Sequence, residues 1–252
     1  MEEKDNVIIG RNAVLEALKS GRAIDTVLIA AGERSGSIVA VRNECRQRGI
    51  PVKETDPRRL DSLCGRGAHQ GVAAFAAVKE YAAVEDLFAL AESRGEKPLL
   101  VVCDGLEDAR NLGAILRTAE AAGVHGVVVP KRHSASLSYD VGKASAGAVE
   151  YVPVARVPNT AAFIEDIKRK GVWVFGAETG GEPWCGADFT GPAAIVVGSE
   201  GKGLGRLVRE KCDFIVSLPM KGKINSLNAS VAAGIILFEA ARQRAGIKAF
   251  EK

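Results

Sequence analysis

Aromatic residues make up only 5% of the 252-residue chain, and there are only three histidines. His69, His125 and His133 share no metal-ligand spacing, so a histidine metal centre is not expected. The five cysteines, Cys45, Cys64, Cys103, Cys185 and Cys212, are odd in number and form no C-x-x-C. That argues against a disulfide framework and for free thiols in a reducing compartment. No apolar run approaches the ~18 residues of a membrane span. The start, "MEEKDNVIIG", is acidic and too short in apolar run for a secretory signal. A cytoplasmic protein without membrane contact is the expectation. Strong charge of one sign is missing too: 34 Lys and Arg stand against 31 Asp and Glu. Dedicated nucleic-acid binders are usually more basic, so RNA contact has to be argued from motifs.

Complete nucleotide motifs are also lacking. "IVVGSEGKGLG", Ile195 to Gly205, runs an apolar strand into a glycine-rich loop. A P-loop needs Gly, four residues, then Gly-Lys-Ser/Thr. Here Val196 holds the first position and Gly203 follows Lys202. The dinucleotide fingerprint G-x-G-x-x-G fits Gly201 and Gly203, but Arg206 stands where its last Gly belongs. A nucleotide hydrolase is thereby disfavoured.

What is present is alternation. In the first part, "RNAVLEALKSG", "SGSIVAVRNECRQRGI" and "DPRRLDSLC" read as helices, and "DTVLIA", "PVKET" and "GVAAFAAV" as strands. This predicts a small three-layer α/β domain over residues 1–78. A polar stretch over 79–97 reads as a linker that can hold one helix from Val84 to Ser93. A second α/β series occupies 98–252. Its strands "LLVVCD", "GVVVP", "EYVPV", "VWVFGAE", "AAIVVG" and "DFIVSLP" are nearly continuous apolar runs, as in a parallel sheet covered on both faces.

Three polar clusters fall at predicted strand ends, where open parallel sheets gather function. "DGLEDARNLGAILRTAEAAG" opens a helix on which Gly113 and Arg117, four apart, share a face. A glycine there costs about 1 kcal/mol relative to Ala, so a close neighbour is expected. The bland alternative is a surface arginine on an amphipathic helix. The second cluster is the glycine-rich loop with Glu200. In the third, "INSLNASVAAGIILFEA", the residues Asn225, Ser226, Asn228 and Ser230 exceed what one N-cap needs.

Taken in order, "NLGAILRTAEAAG", "VVGSEGKGLG" and "INSLNASVAAGIILFEAARQR" resemble the three motifs of the SpoU (TrmH-like) RNA 2′-O-methyltransferases, within the SPOUT superfamily. "SYDVGKASAGAVEYVPV" is similar to the same family. "IIGRNAVLEAL" and "AHQGVAAF" resemble the substrate-binding domain of bacterial 23S rRNA guanosine-2′-O-methyltransferases, a domain similar to kink-turn-binding ribosomal proteins. The resemblance implies an α/β fold whose C-terminal parallel-sheet domain is tied into a trefoil knot. It implies a homodimer and S-adenosylmethionine as methyl donor. The residues it places at the donor are Gly198, Leu218 and Leu227, with Ala177, Glu178 and Met220 as further walls. Arg117 is expected near the reacting hydroxyl, with Asn111, Glu200, Ser226 and Asn228 holding it or the ribose. Arg11, Asn12, Arg34, Arg66, His69 and Gln70 are candidates for RNA contacts in the first domain. No metal is implied. The alternatives are a tRNA 2′-O-methyltransferase and an RNA-binding protein without catalysis.

Overall fold

A computed structural model describes residues 7–34, 36–64, 69–223 and 226–248. Arg66 and Asn225 lie outside these residues. The chain divides into two compact units, one of residues 1–80 with 136–139, the other of 81–135 with 140–252.

The first unit is a four-stranded sheet in the order β1-β4-β2-β3, built from β1 (Val7–Ile9), β2 (Ile24–Ala30), β3 (Val52–Thr55) and β4 (Val72–Ala76). β2 and β3 are parallel, and the other two pairings are antiparallel. Strand alternation sorts the core. Val27 and Ile29 of β2 face α1 (Arg11–Lys19) and α2 (Gly36–Gln47) through Val14, Leu18, Ile38 and Val41. Leu28 and Ala30 point the other way, onto Leu60 and Cys64 of α3 (Pro57–Cys64). The three expected layers are therefore present. The edge strand β1 escapes a sequence reading because three residues carry no period.

The second unit holds six strands, all parallel, in the order β10-β8-β9-β5-β6-β7. These are β5 (Leu99–Asp104), β6 (Gly126–Pro130), β7 (Val154–Val157), β8 (Trp173–Pro183), β9 (Ala193–Gly198) and β10 (Phe214–Ser217). The strand expected at "EYVPV" starts only at its last residue, because Ala148–Glu150 coil into a 3₁₀ turn. Helix α4 (Val84–Ser93) belongs to this unit and buries Leu87 in its core. The stretch 79–97 is thus in part a packed element. On the same face lie α7 (Thr160–Arg169), through Phe163, Ile164 and Ile167, and α8 (Arg206–Lys211), through Val208. On the other side, α5 (Ala109–Ala121) packs on β6 and α9 (Ala229–Arg244) on β9, and the two helices pack on each other. Gly113 of α5 has its close neighbour: a Cβ there would stand 3.0 Å from Ala144 C and Ser145 N. Those atoms belong to the end of α6 (Tyr139–Ala144), an element absent from the sequence reading, and to the residue after it.

Candidate functional site

The strand order sets where a ligand can enter. From β5 the chain moves outward through β6 to β7, and β9 comes in beside β5 from the opposite side. A crevice opens at such a switch point, outside the carboxyl ends of the strands. The last residues of β5 and β9, Asp104 and Gly198, face each other in register. α5 follows the first, and the glycine-rich loop follows the second.

That loop is a closed turn. Ser199 N donates to Gly203 O at 3.1 Å, and Gly203 N donates back to Ser199 O at 2.8 Å. Glu200, Gly201 and Lys202 form its tip. A Cβ on Gly198 would run into the Gly203 carbonyl, so this approach requires glycine. Beyond it, Gly205 N donates to the Asp104 carboxylate at 2.8 Å, tying the start of α8 to the end of β5.

β8 supplies the opposite wall by leaving its partner. Ile215 pairs with Gly176, but the next residue, Val216, pairs with Glu182. Residues 177–181 therefore arch out of the β8–β10 ladder. Ser217 Oγ fastens the return by donating to Gly181 O at 2.7 Å. Within the arch, Glu178 accepts from Arg209 Nε at 2.6 Å.

The arch, the glycine turn, the segment after β10 and the start of α9 enclose a cavity of about 320 Å³. Gly198, Leu218, Leu227, Ala177, Glu178 and Met220 all line it, as do Glu200 and Ser226. Asn111, Arg117 and Asn228 are not on its wall, but Asn228 stands beside it. Its Oδ1 caps α9 by accepting from Ser230 N at 2.9 Å and Val231 N at 3.3 Å. The cap fixes which way the amide faces. Nδ2 is left to donate, to Asn111 Oδ1 at 2.9 Å and to Glu200 Oε1 at 3.5 Å. One asparagine thus joins all three sequence clusters. Arg117 lies one turn past Gly113 on α5, exposed, with no hydrogen bond or ion pair among the described residues.

The first-unit candidates behave otherwise. Arg11 Nε donates to Gln70 O at 2.7 Å, and its terminal nitrogens donate to Glu33 at 3.0 Å and Ser37 Oγ at 3.3 Å. His69 Nε2 meets Asp61 at 3.0 Å, and its Nδ1 accepts from Gly71 N. Gln70 holds a positive φ of 51° between them. Asn12 and Arg34 are exposed.

Residues 98–238 match the family described as SpoU rRNA Methylase, more than half of the chain. The chain belongs to the SpoU methylase family. Residues 7–82 match a second family, described as RNA 2′-O ribose methyltransferase substrate binding. YacO of Bacillus subtilis (strain 168), named for the TrmH family of tRNA/rRNA methyltransferases, is 45% identical over 245 residues, 97% of this chain and 98% of its own. The SpoU methyltransferase AviRb from Streptomyces viridochromogenes, solved with AdoMet, superposes with a TM-score of 0.60 at 28% identity, over 95% of this chain and 90% of that one. An AdoMet-bound rRNA methyltransferase from Sinorhizobium meliloti gives 0.58 at 28% identity, over 96% and 88%. As a SpoU member the chain is an RNA methyltransferase, and S-adenosylmethionine is its methyl donor.

A sequence reading of this SpoU chain leaves out two features of the cavity. One is the β8 arch, whose signal was the pair Gly180-Gly181 just beyond the expected strand "VWVFGAE". The other is Lys202, which lines the wall.

Burial pushes three thiols up, Cys45 to about 11 and Cys103 and Cys212 to about 12. Among the described residues no group of three or more His, Cys, Asp or Glu could hold a metal ion, and no helix is long and apolar enough to cross a membrane.

Proposed function

We propose that the chain methylates a ribose 2′-OH in RNA, at a guanosine of 23S rRNA. The observation that carries this is the Asn228 junction: one side chain links the Asn111 and Glu200 clusters at the mouth of a cavity that fits the donor. The fit is chemical. Leu218, Leu227, Met220 and Ile236 offer apolar surface for a purine, and Glu178 and Glu200 offer anionic oxygens toward a cation. The match of residues 7–82 to a ribose-methyltransferase substrate-binding family supports the 2′-OH as target.

S-adenosylmethionine supplies a sulfonium methyl already activated for displacement. What remains is alignment, and positioning can supply ~7–11 kcal/mol of a barrier. Arg117 clamps the phosphate of the target nucleotide and orients its 2′-OH. A guanidinium is a poor base, so the hydroxyl proton passes to the phosphate, or to an Arg117 that is transiently neutral. Asn111 and Asn228, locked to each other, hold Glu200 and with Ser226 form the ribose side of the site. An exposed, unpartnered Arg117 is what such a clamp requires.

The first unit selects the RNA through Asn12, Arg34, Arg66 and the loop that Arg11, His69 and Gln70 build. Single-stranded loops are the usual targets of sequence-specific recognition. Residues 98–252 carry transfer. Two copies act together in the cytoplasm. The dimer is supported by α9, which exposes Val231, Ile235 and Phe238 at 50%, 38% and 54%, along one helical face and one turn beyond Leu227. The C-terminal knot is supported by the path of the chain, since β10 returns outside β8 before α9 comes back onto β9.

Tritium transfer from labelled S-adenosylmethionine onto 23S rRNA and onto tRNA, with the product nucleoside identified, tests the reading. 2′-O-methylguanosine in 23S rRNA is expected. Label in tRNA alone moves the target to tRNA, the second reading, which the tRNA/rRNA name of YacO keeps in play. Label on a base nitrogen or carbon overturns the 2′-OH.

A further inference from the structure

The charged groups on the cavity wall are Glu178, Glu200 and Lys202. Glu178 is bound by Arg209, and Glu200 faces the Asn228 amide. Lys202 makes no hydrogen bond or ion pair among the described residues. It is the one cation lining the cavity among those residues, and the turn that carries it is closed on both sides by the Ser199–Gly203 bonds. A lysine with nothing to hold on a closed turn is available to a ligand.

Resting on the reading of this cavity as the donor site, we propose that Lys202 binds the carboxylate of the methyl donor. The donor has two cationic groups, a sulfonium and an ammonium, and a single anionic one. Two wall carboxylates suit the former and repel the latter. Arg209 already offsets Glu178, so without Lys202 the donor's carboxylate enters chiefly against Glu200, and like charges at close range oppose binding. Lys202 lines the same cavity and offsets that repulsion. An RNA phosphate is the other anion a lysine here could meet. The wall position favours the donor, because Lys202 lines the cavity together with Gly198, Leu218 and Leu227, whereas Arg117 stands outside it.

The test is calorimetric binding of S-adenosylmethionine and of decarboxylated S-adenosylmethionine to wild type, K202Q and K202R, without RNA. Wild type is expected to prefer the carboxylated donor. Lys202→Gln should weaken that donor about fivefold, the upper end for an exposed ion pair, and leave the decarboxylated one unchanged. Lys202→Arg should restore the preference. Equal losses for both donors, or no loss for either, overturn the proposal. Unchanged donor binding together with a raised KM for RNA and a shallower salt dependence assigns Lys202 to an RNA phosphate instead and likewise overturns it. If wild type binds neither donor, the donor-site reading itself fails, which is a separate result from a K202Q that binds both alike.

Discussion

Arg11 and Arg117 are the same side chain used in opposite ways by the two units. Arg11 spends its donors inside the protein, on Gln70, Glu33 and Ser37, and holds a loop at positive φ in shape. Arg117 is exposed and spends none. A guanidinium already saturated by backbone and carboxylate contributes to architecture. One left exposed and unpaired is free to meet a substrate.

The contrast breaks most visibly at Arg117. Arg117→Ala should lower single-turnover methyl transfer by about 10²-fold or more, the loss expected when the group that orients the reacting hydroxyl is removed. Thermal unfolding should move by no more than about 0.5 kcal/mol, as for a surface change. Near-normal transfer in a folded variant would remove Arg117 from the site.

Asn228 sharpens the comparison because it does both jobs. Asn228→Asp keeps the cap oxygen but replaces Nδ2 by an oxygen aimed at Asn111 Oδ1 and Glu200. A loss of about 1–3 kcal/mol is expected for the unmet acceptors, with transfer falling about tenfold. Asn228→Ala should cost about 1 kcal/mol for the cap. If the Asp and Ala variants both transfer as fast as wild type, the junction is structural only.

Arg11→Ala should do the reverse of Arg117→Ala. The first unit should lose about 1–2 kcal/mol as its loop bonds go, and the maximal rate at saturating RNA should hardly change. Denaturant titration beside kcat measures both. A rate loss as deep as that of Arg117→Ala, without a stability loss, would erase the distinction.

The smallest effect concerns His125, fully buried at the start of β6 with Nδ1 accepting from Leu99 N and Nε2 on Glu96. Burial lowers its pKa below the usual value, more than Glu96 raises it. The unfolded chain therefore binds the proton more readily. This contribution is full above about pH 6.5 and is lost as pH falls through the lower folded value. Melting between pH 7 and 5 should show a modest drop in the second unit that His125→Asn removes.

How much of this was legible in the residues follows their physics. Long apolar runs announced β5, β6 and β9 to within a residue or two, because a strand buried on both faces has no polar alternation to blur it. Gly113 forecast a close neighbour because a helix interior tolerates glycine only for a reason. β1 and α6 are too short to carry a period. Ala177 and Glu178 were placed at the donor by the resemblance, but the arch that presents them was hidden, because only the later skip in pairing lifts them out of the ladder. Lys202 was passed over because a lysine in sequence carries no sign of whether it has a partner.

That lifted segment has a consequence for how such a site changes over time. Both of its ends are pinned, by Gly176 opposite Ile215 and by Glu182 opposite Val216. Ala177 still pairs with Val197 of β9, but beyond it residues can be gained, lost or exchanged while the β8–β10 rungs on either side stay where they are. The chamber's size and chemistry are thereby uncoupled from the scaffold, and a lineage can remodel what it accommodates without relearning how to fold.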